Sequence, residues 1–157
     1  EPPMSAAEQR EVFESILEDT LGAGCSIEVA QAIHDQFSSQ IREHKESKST
    51  ESLIVTAGEI GKVLLACGVT EENVAAFQAQ CGERFGVGAV HDPANLIDPG
   101  KYEVKTAQAT IQVDPEFSYA VTTRVIDGRA YLLLPADDIQ VNGLPIQVTN
   151  GQETETI

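Results

Sequence analysis

The fold class follows from residues 121–134, which read VTTRVIDGRAYLLL. Asp127-Gly128 at the centre of this stretch is a signal for a type I′ hairpin turn, because both turn positions need a positive φ. A two-residue loop sets Val125 opposite Ala130 and gathers the aliphatic residues on one face. The stretch therefore predicts an antiparallel hairpin. The same register pairs Thr123 with Leu132 and Val121 with Leu134.

More strands are predicted on both sides of this hairpin. Asn142-Gly143 repeats the turn signal and sets Val141 opposite Leu144. Upstream, apolar residues alternate with polar ones at residues 102–106 and 111–113. We therefore expect an α+β fold: an N-terminal helical hairpin, two further helices, and then an antiparallel sheet of about five strands with one face covered by the helices.

Helical patterns occupy the first half of the chain. Ser5 and Glu8 have the spacing of a capping box, and Thr56 and Glu59 repeat it, so a helix should begin at each place. Thr70, followed by two glutamates, marks a further helix start. The apolar residues expected on the buried stripes are Val12, Phe13, Ile16, Leu17 and Leu21; then, from Ser26 onward, Val29, Ala30, Ile33, Phe37 and Ile41; then Ile60, Val63, Leu64 and Cys67; and last Val74, Phe77, Cys81 and Phe85.

Two stretches without periodicity predict connections between these elements. Residues 44–52 contain no apolar side chain to bury, so we expect an exposed linker there. Residues 86–100 hold turn signals at Asp92-Pro93 and Asp98-Pro99-Gly100 and are expected to form a long surface loop. The resulting domain assignment is a helical hairpin at 1–48, an α+β domain at 53–150 and a flexible tail at 151–157.

The charge of the chain narrows the classes of partner. Asp and Glu number 25 against 10 Lys and Arg, which gives a formal net charge of -15. Nucleic acid and anionic membrane surfaces are bound through basic residues, so neither is expected as a partner. No apolar run approaches the roughly 20 residues that a membrane-spanning helix needs. A basic protein partner fits this charge better.

The cysteines indicate the cellular compartment, and the first residue indicates whether the sequence is part of a longer protein. Cys25, Cys67 and Cys81 form an odd set without a Cys-x-x-Cys pair, which is neither a disulfide framework nor a zinc site. A reducing, cytoplasmic location is therefore expected. Because the sequence opens at Glu1 and not at Met, we also expect a longer protein whose N-terminal region is missing here.

The most suggestive surface feature is a row of glutamates on the first helix. Glu8, Glu11, Glu14 and Glu18 are three or four residues apart and therefore share one flank, where they repel one another. A basic partner would relieve this repulsion, so these four are the candidate partner-binding residues. The alternative is an ordinary solvated helix face, which tolerates such repulsion when the opposite stripe is well packed.

Candidates for chemistry are few, and each has a structural alternative. His91-Asp92 could provide a base and its orienter, but no nucleophile can be placed beside them. Cys25 precedes a helix N-terminus, which can activate a thiol, yet no basic neighbour supports activation. His34 and His44 are ten residues apart on one helix and do not have metal-site spacing. No catalytic residue, cofactor or metal site is predicted.

Several motifs run through both halves of the chain. In the helical half they are Thr20-Leu21-Gly22, Cys25, Ile33-His34, Glu43-His44-Lys45 and Cys67-Gly68-Val69. In the second half they are Lys105-Thr106, Ile111-Gln112-Val113, Pro115, 124–129 (RVIDGR) and Val141-Asn142-Gly143. With these motifs the chain resembles the C-terminal part of an uncharacterised bacterial family, domain-of-unknown-function family 4317. The resemblance implies a further N-terminal region and brings no activity, ligand or catalytic residue with it.

The function expected from these observations is a non-enzymatic protein-interaction or regulatory module. The lack of a catalytic cluster and the glutamate row on the first helix motivate it. The alternative is an accessory C-terminal domain of an enzyme whose active residues lie in the absent N-terminal region. In that alternative, residues 86–100 would line a cleft.

Overall fold

Both predicted capping boxes form, and each starts a helix. In the computed structural model, which describes residues 3–149, the Ser5 hydroxyl accepts a hydrogen bond from the backbone N–H of Glu8 at 3.2 Å. The backbone N–H of Ser5 donates in return to the Glu8 carboxylate at 3.1 Å. Thr56 and Glu59 make the same exchange, with both bonds at 3.1 Å. These two predictions are confirmed, as is the helix that Thr70 caps.

The described residues form five α-helices, two 3-10 helices (Gly22–Gly24 and Pro115–Ala120) and eight strands, and the chain divides into two compact units, Glu1–Tyr119 and Ala120–Ile157. The domain assignment made from the sequence stays a prediction, and its tail at 151–157 lies outside the described residues. Among residues 3–149, no helix combines the length and the apolar character needed to cross a membrane. The helices are α1 (Ala6–Leu21), α2 (Ile27–Ser47), α3 (Ala57–Ala66), α4 (Glu71–Phe85) and α5 (Pro93–Leu96). The strands are β1 (Val55–Thr56), β2 (Val90–His91), β3 (Tyr102–Lys105), β4 (Thr110–Val113), β5 (Thr122–Ile126), β6 (Arg129–Leu133), β7 (Gln140–Val141) and β8 (Leu144–Pro145).

The core of the first unit lies between the helices. The ring of Phe13 on α1 is 6.2 Å from that of Phe37 on α2 and 6.3 Å from that of Phe77 on α4, measured between centroids. Aromatic pairs at such distances add to the free energy of burying their surface. The predicted stripes are buried or packed against this core, apart from Ala30, which is exposed.

Helix α2 is longer than the sequence analysis predicted. Residues 44–47 were assigned to an exposed linker, yet α2 continues to Ser47. These residues are polar and need no burial, but a helix can carry them on its exposed side. His44 and Lys45 lie in the last turn, where positive charge is favourable beside the helix C-terminus. The backbone leaves the helix at Lys48, which has a positive φ of 53°.

The strands do not form the predicted five-stranded sheet. Among residues 3–149 they form four separate two-stranded antiparallel sheets, β1-β2, β3-β4, β5-β6 and β7-β8. The turn predictions are right, because Asp127 and Asn142 adopt positive φ and the pairs Val125–Ala130 and Val141–Leu144 form. Turn chemistry fixes the register within a hairpin, but it does not determine whether one hairpin pairs with the next.

The stretch at residues 86–100 is also more ordered than a surface loop. It contains β2, which pairs with β1, and the short helix α5. Asp92-Pro93 was interpreted as a turn, but Asp92 caps α5 and Pro93 occupies its first turn, where the missing N–H costs nothing. His91, Pro93 and Leu96 are buried. The turn predicted at Asp98-Pro99-Gly100 does form, since Asp98 accepts from the backbone N–H of Gly100 at 2.9 Å.

Candidate functional site

The four glutamates of α1, called the acidic flank below, are all exposed. The carboxylate of Glu8 belongs to the capping box, and its hydrogen bonds with Ser5 lower its pKa. Both ion pairs found within residues 3–149 involve Glu103, so the flank carboxylates take part in neither. Glu11, Glu14 and Glu18 therefore remain available to a positively charged group from outside.

A second exposed surface lies on the β5-β6 hairpin. Neither strand contains a buried residue, and Val125 is 69% exposed. Val125, Ala130 and Leu132 share one face by the observed register and are called the apolar hairpin face below. The sequence analysis recognised this aliphatic face. On this face Val125 and Ala130 are exposed and Leu132 is half-buried. An isolated two-stranded hairpin is marginally stable in water, so exposed apolar residues on one are informative.

The other face of this hairpin has a different character. Arg124 and Tyr131 are opposite each other in the register, and Arg129 lies 5.9 Å from the centre of the Tyr131 ring. That distance permits a cation–π interaction. By the same register this second face also carries Ile126 and Leu133, so it combines arginine and tyrosine with aliphatic residues.

His34 fastens a turn to α2. Its Nε2–H donates to the backbone carbonyls of Asp98 at 3.0 Å and Lys101 at 2.9 Å, and the Ser38 hydroxyl lies 3.4 Å from its Nδ1. Both carbonyls only accept, which places the proton on Nε2. The ring also meets Tyr102 edge-on, with centroids 5.4 Å apart. With these partners His34 has a structural role. We refer to this arrangement as the His34 latch.

His91 and Asp92 do not form a base and orienter. The Asp92 carboxylate accepts from the backbone N–H of Ala94 at 3.0 Å, which is its role as helix cap. His91 is only 8% exposed and packs edge-on against Phe85, with centroids 4.5 Å apart. Burial lowers the pKa of His91, because the charged imidazolium is poorly solvated there.

Sequence reasoning missed the surroundings of His91. With Cys81 and residues 86–89 it lines a cavity of about 490 Å³. Burial raises the pKa of the Cys81 thiol to about 11, so this group is protonated at neutral pH and is a poor nucleophile. The pairing of β1 with β2 brings His91 here, and a two-residue strand gives almost no periodicity to find.

The remaining thiols are not activated. Burial and the nearby Glu18 raise the pKa of Cys25. Burial and Glu28 raise the pKa of Cys67. Within the part of the chain that the structure describes, no group of three His, Cys, Asp or Glu side chains is placed to hold a metal ion.

The comparisons with known proteins give one match. The model of a family described as "Domain of unknown function (DUF4317)" matches residues 1–144, nearly the whole chain. The family that the sequence motifs indicated is thereby confirmed. Neither the search of curated proteins nor the search of solved structures found a match.

Proposed function

The chain belongs to the domain-of-unknown-function family DUF4317, and from its own residues we propose that it is a non-enzymatic protein-interaction module. The observation that carries the proposal is the exposed apolar hairpin face. Exposed apolar surface on a soluble domain commonly marks a protein-binding site. Both edges of a two-stranded hairpin also offer backbone N–H and C=O groups to a further strand.

The acidic flank supports a partner with basic residues. Three of its carboxylates are exposed and outside the observed ion pairs, and they repel one another along α1. Lys or Arg side chains of a partner would lower this repulsion and speed the encounter at low ionic strength. The partner we propose is therefore a basic protein, and nucleic acid is disfavoured by the net charge of -15.

A cytoplasmic location is part of this proposal. Cys25, Cys67 and Cys81 are all free thiols, which suits a reducing compartment. No reactive thiol is needed for the proposed binding.

The experiment compares partner capture by matched variants of the intact chain. The flank variant carries Glu11→Lys, Glu14→Lys and Glu18→Lys, and its control carries Glu43→Lys, Glu46→Lys and Glu51→Lys. Both sets replace exposed glutamates and change the net charge equally, from -15 by +6 to -9. Proteins captured from lysate are quantified by mass spectrometry, and each candidate is then purified and titrated against every variant.

The hairpin has its own matched pair of variants. Val125→Lys places a charge on the apolar hairpin face, whereas Thr122→Lys places the same charge on the opposite face of β5. We expect a purified basic partner to lose affinity with the flank variant and with Val125→Lys, and to keep it with both controls. A partner that binds all four variants equally would refute the proposal.

One observation favours the alternative function, an accessory domain of an enzyme. Residues 86–89 and the buried His91 line the cavity of about 490 Å³, which is large enough for a small substrate. In that case, replacing His91 by Ala in the longer protein should reduce its activity while leaving partner capture unchanged. Unchanged activity in that variant would count against the enzymatic alternative.

A further inference from the structure

A second cleft lies on the first unit, between α1, α2, α5 and β3. Its apolar lining consists of Phe13 and Leu17 from α1, Ile33 from α2 and Leu96 from α5, and its volume is about 390 Å³. Phe13, Ile33 and Leu96 belong to the hydrophobic core, so the cleft opens directly onto buried apolar surface. A cleft of this size lies within the range of small-molecule sites.

Arg10 lines the same cleft, and its guanidinium has no hydrogen-bond or ion-pair partner among residues 3–149. The Nε atom is buried and has no hydrogen-bond acceptor within residues 3–149. No carboxylate of the described residues lies within ion-pairing distance of Arg10, since both ion pairs found there involve Glu103. A donor on a charged group is costly to leave unpaired. Because Nε itself is closed to solvent, an acceptor that enters the cleft would bind the outer Nη groups of the guanidinium, for which no hydrogen bond is found within residues 3–149.

The other charged groups of the cleft narrow the choice of acceptor. Lys101 is paired with Glu103 at 3.7 Å, and Asp98 accepts from the turn that follows it. Arg10 is therefore the cation of the described lining that takes part in no ion pair, and the lining also holds the carboxylates of Glu14, Asp98 and Glu103. A phosphate would need more positive charge than one guanidinium supplies beside a glutamate. A single carboxylate matches the fork of donors on arginine.

We propose that this cleft binds a small monocarboxylate with an apolar body. The carboxylate accepts hydrogen bonds from the Arg10 guanidinium, and the apolar body packs over Phe13, Ile33 and Leu96. At the roughly 30 Å³ that a water molecule occupies in the liquid, the cleft takes a ligand on the order of ten non-hydrogen atoms. This inference does not depend on the proposed protein partner, because it concerns a different ligand and a different lining.

The test uses isothermal titration calorimetry of the intact chain with defined probes. Octanoate and 3-phenylpropionate carry the carboxylate on a linear and on a ring-shaped body, and octanamide is the uncharged counterpart of octanoate. We expect at least one carboxylate to bind, and octanamide to bind about tenfold or more weakly than octanoate, as a lost charge-assisted hydrogen bond implies. Binding of only one carboxylate would support the site and define the shape of its apolar body.

Three variants separate the site from nonspecific binding. Arg10→Gln should weaken carboxylate binding about tenfold or more and leave octanamide binding unchanged, since only the charged anchor is removed. Arg42→Gln, on an exposed arginine of α2 outside the cleft, should change nothing. Ala30→Phe places a ring in the cleft from an exposed position of α2 and should abolish binding of both carboxylates without affecting the fold.

Three results would each overturn the proposal. One is no detectable binding of either carboxylate at millimolar concentration. Another is carboxylate affinity that Arg10→Gln leaves unchanged in a variant whose circular dichroism spectrum matches the original. The third is binding that persists in the folded Ala30→Phe variant, because the ligand would then lie elsewhere.

Discussion

The His34 latch gives the sharpest stability prediction. Replacing His34 by Leu fills the buried position with an apolar side chain but removes the N–H that donates to the carbonyls of Asp98 and Lys101. A neutral hydrogen bond contributes about 1 kcal/mol to stability, and the two carbonyls left without a donor add part of their desolvation cost. We therefore expect the free energy of unfolding to fall by about 1–2.5 kcal/mol. For a unit of this size that loss corresponds to a melting temperature lower by roughly 5–12 °C.

Matched variants separate the latch from simple packing. His34→Gln retains a side-chain N–H donor at a similar reach and should keep more than half of the lost stability. Ser38→Ala removes only the longer 3.4 Å contact and should have the smallest effect. Urea unfolding followed by circular dichroism gives the free energies, and hydrogen exchange at Lys101, whose N–H donates to Asp98, reports opening of the turn. The reasoning is refuted if His34→Leu is as stable as the original chain, or if His34→Gln is as unstable as His34→Leu.

Two further predictions concern α3 and His91. A Cβ on Gly61 would meet Val74 at 3.0 Å and the Gln78 amide still more closely, whereas one on Gly58 meets nothing nearer than 3.7 Å. Gly61→Ala should therefore be less stable than Gly58→Ala by about 1–3 kcal/mol in urea unfolding, and equal stabilities would contradict the close packing of α3 against α4. Burial holds the pKa of His91 below its usual 6.5, so the unfolded chain binds a proton on this residue more tightly than the folded chain does. The free energy of unfolding should therefore fall as the pH drops through 6.5. His91→Phe should flatten the thermal stability between pH 7.5 and 5.5, and a slope unchanged by His91→Phe would assign the pH dependence to other groups.

Interactions between residues close in sequence were predictable. The capping boxes at Ser5 and Thr56 need only residues three positions apart, and the turn at Asp127-Gly128 fixes the register of its own strands. In each case the same few side chains both determine the local structure and satisfy its hydrogen bonds. Sequence patterns are sufficient to predict a local structure when residues a few positions apart determine it.

Interactions between distant residues were not predictable in this way. His34 meets a turn more than sixty positions away, and His91 enters a cavity only because a two-residue strand pairs with β1. Whether the edge strand of one hairpin pairs with the edge strand of the next is also not determined by any turn signal. The cleft at Arg10 has the same origin, since its lining comes from four elements and no motif connects them.

The ladder of the β5-β6 hairpin also has a kinetic consequence. Its outermost rung joins Thr122 to Leu133, so closing it requires no distant part of the chain. Hairpins of this kind zip and open in about 1–10 μs, far faster than domains whose contacts span the chain. A synthetic peptide of residues 121–134 should therefore equilibrate between zipped and frayed forms on that timescale, which temperature-jump spectroscopy of Tyr131 can follow.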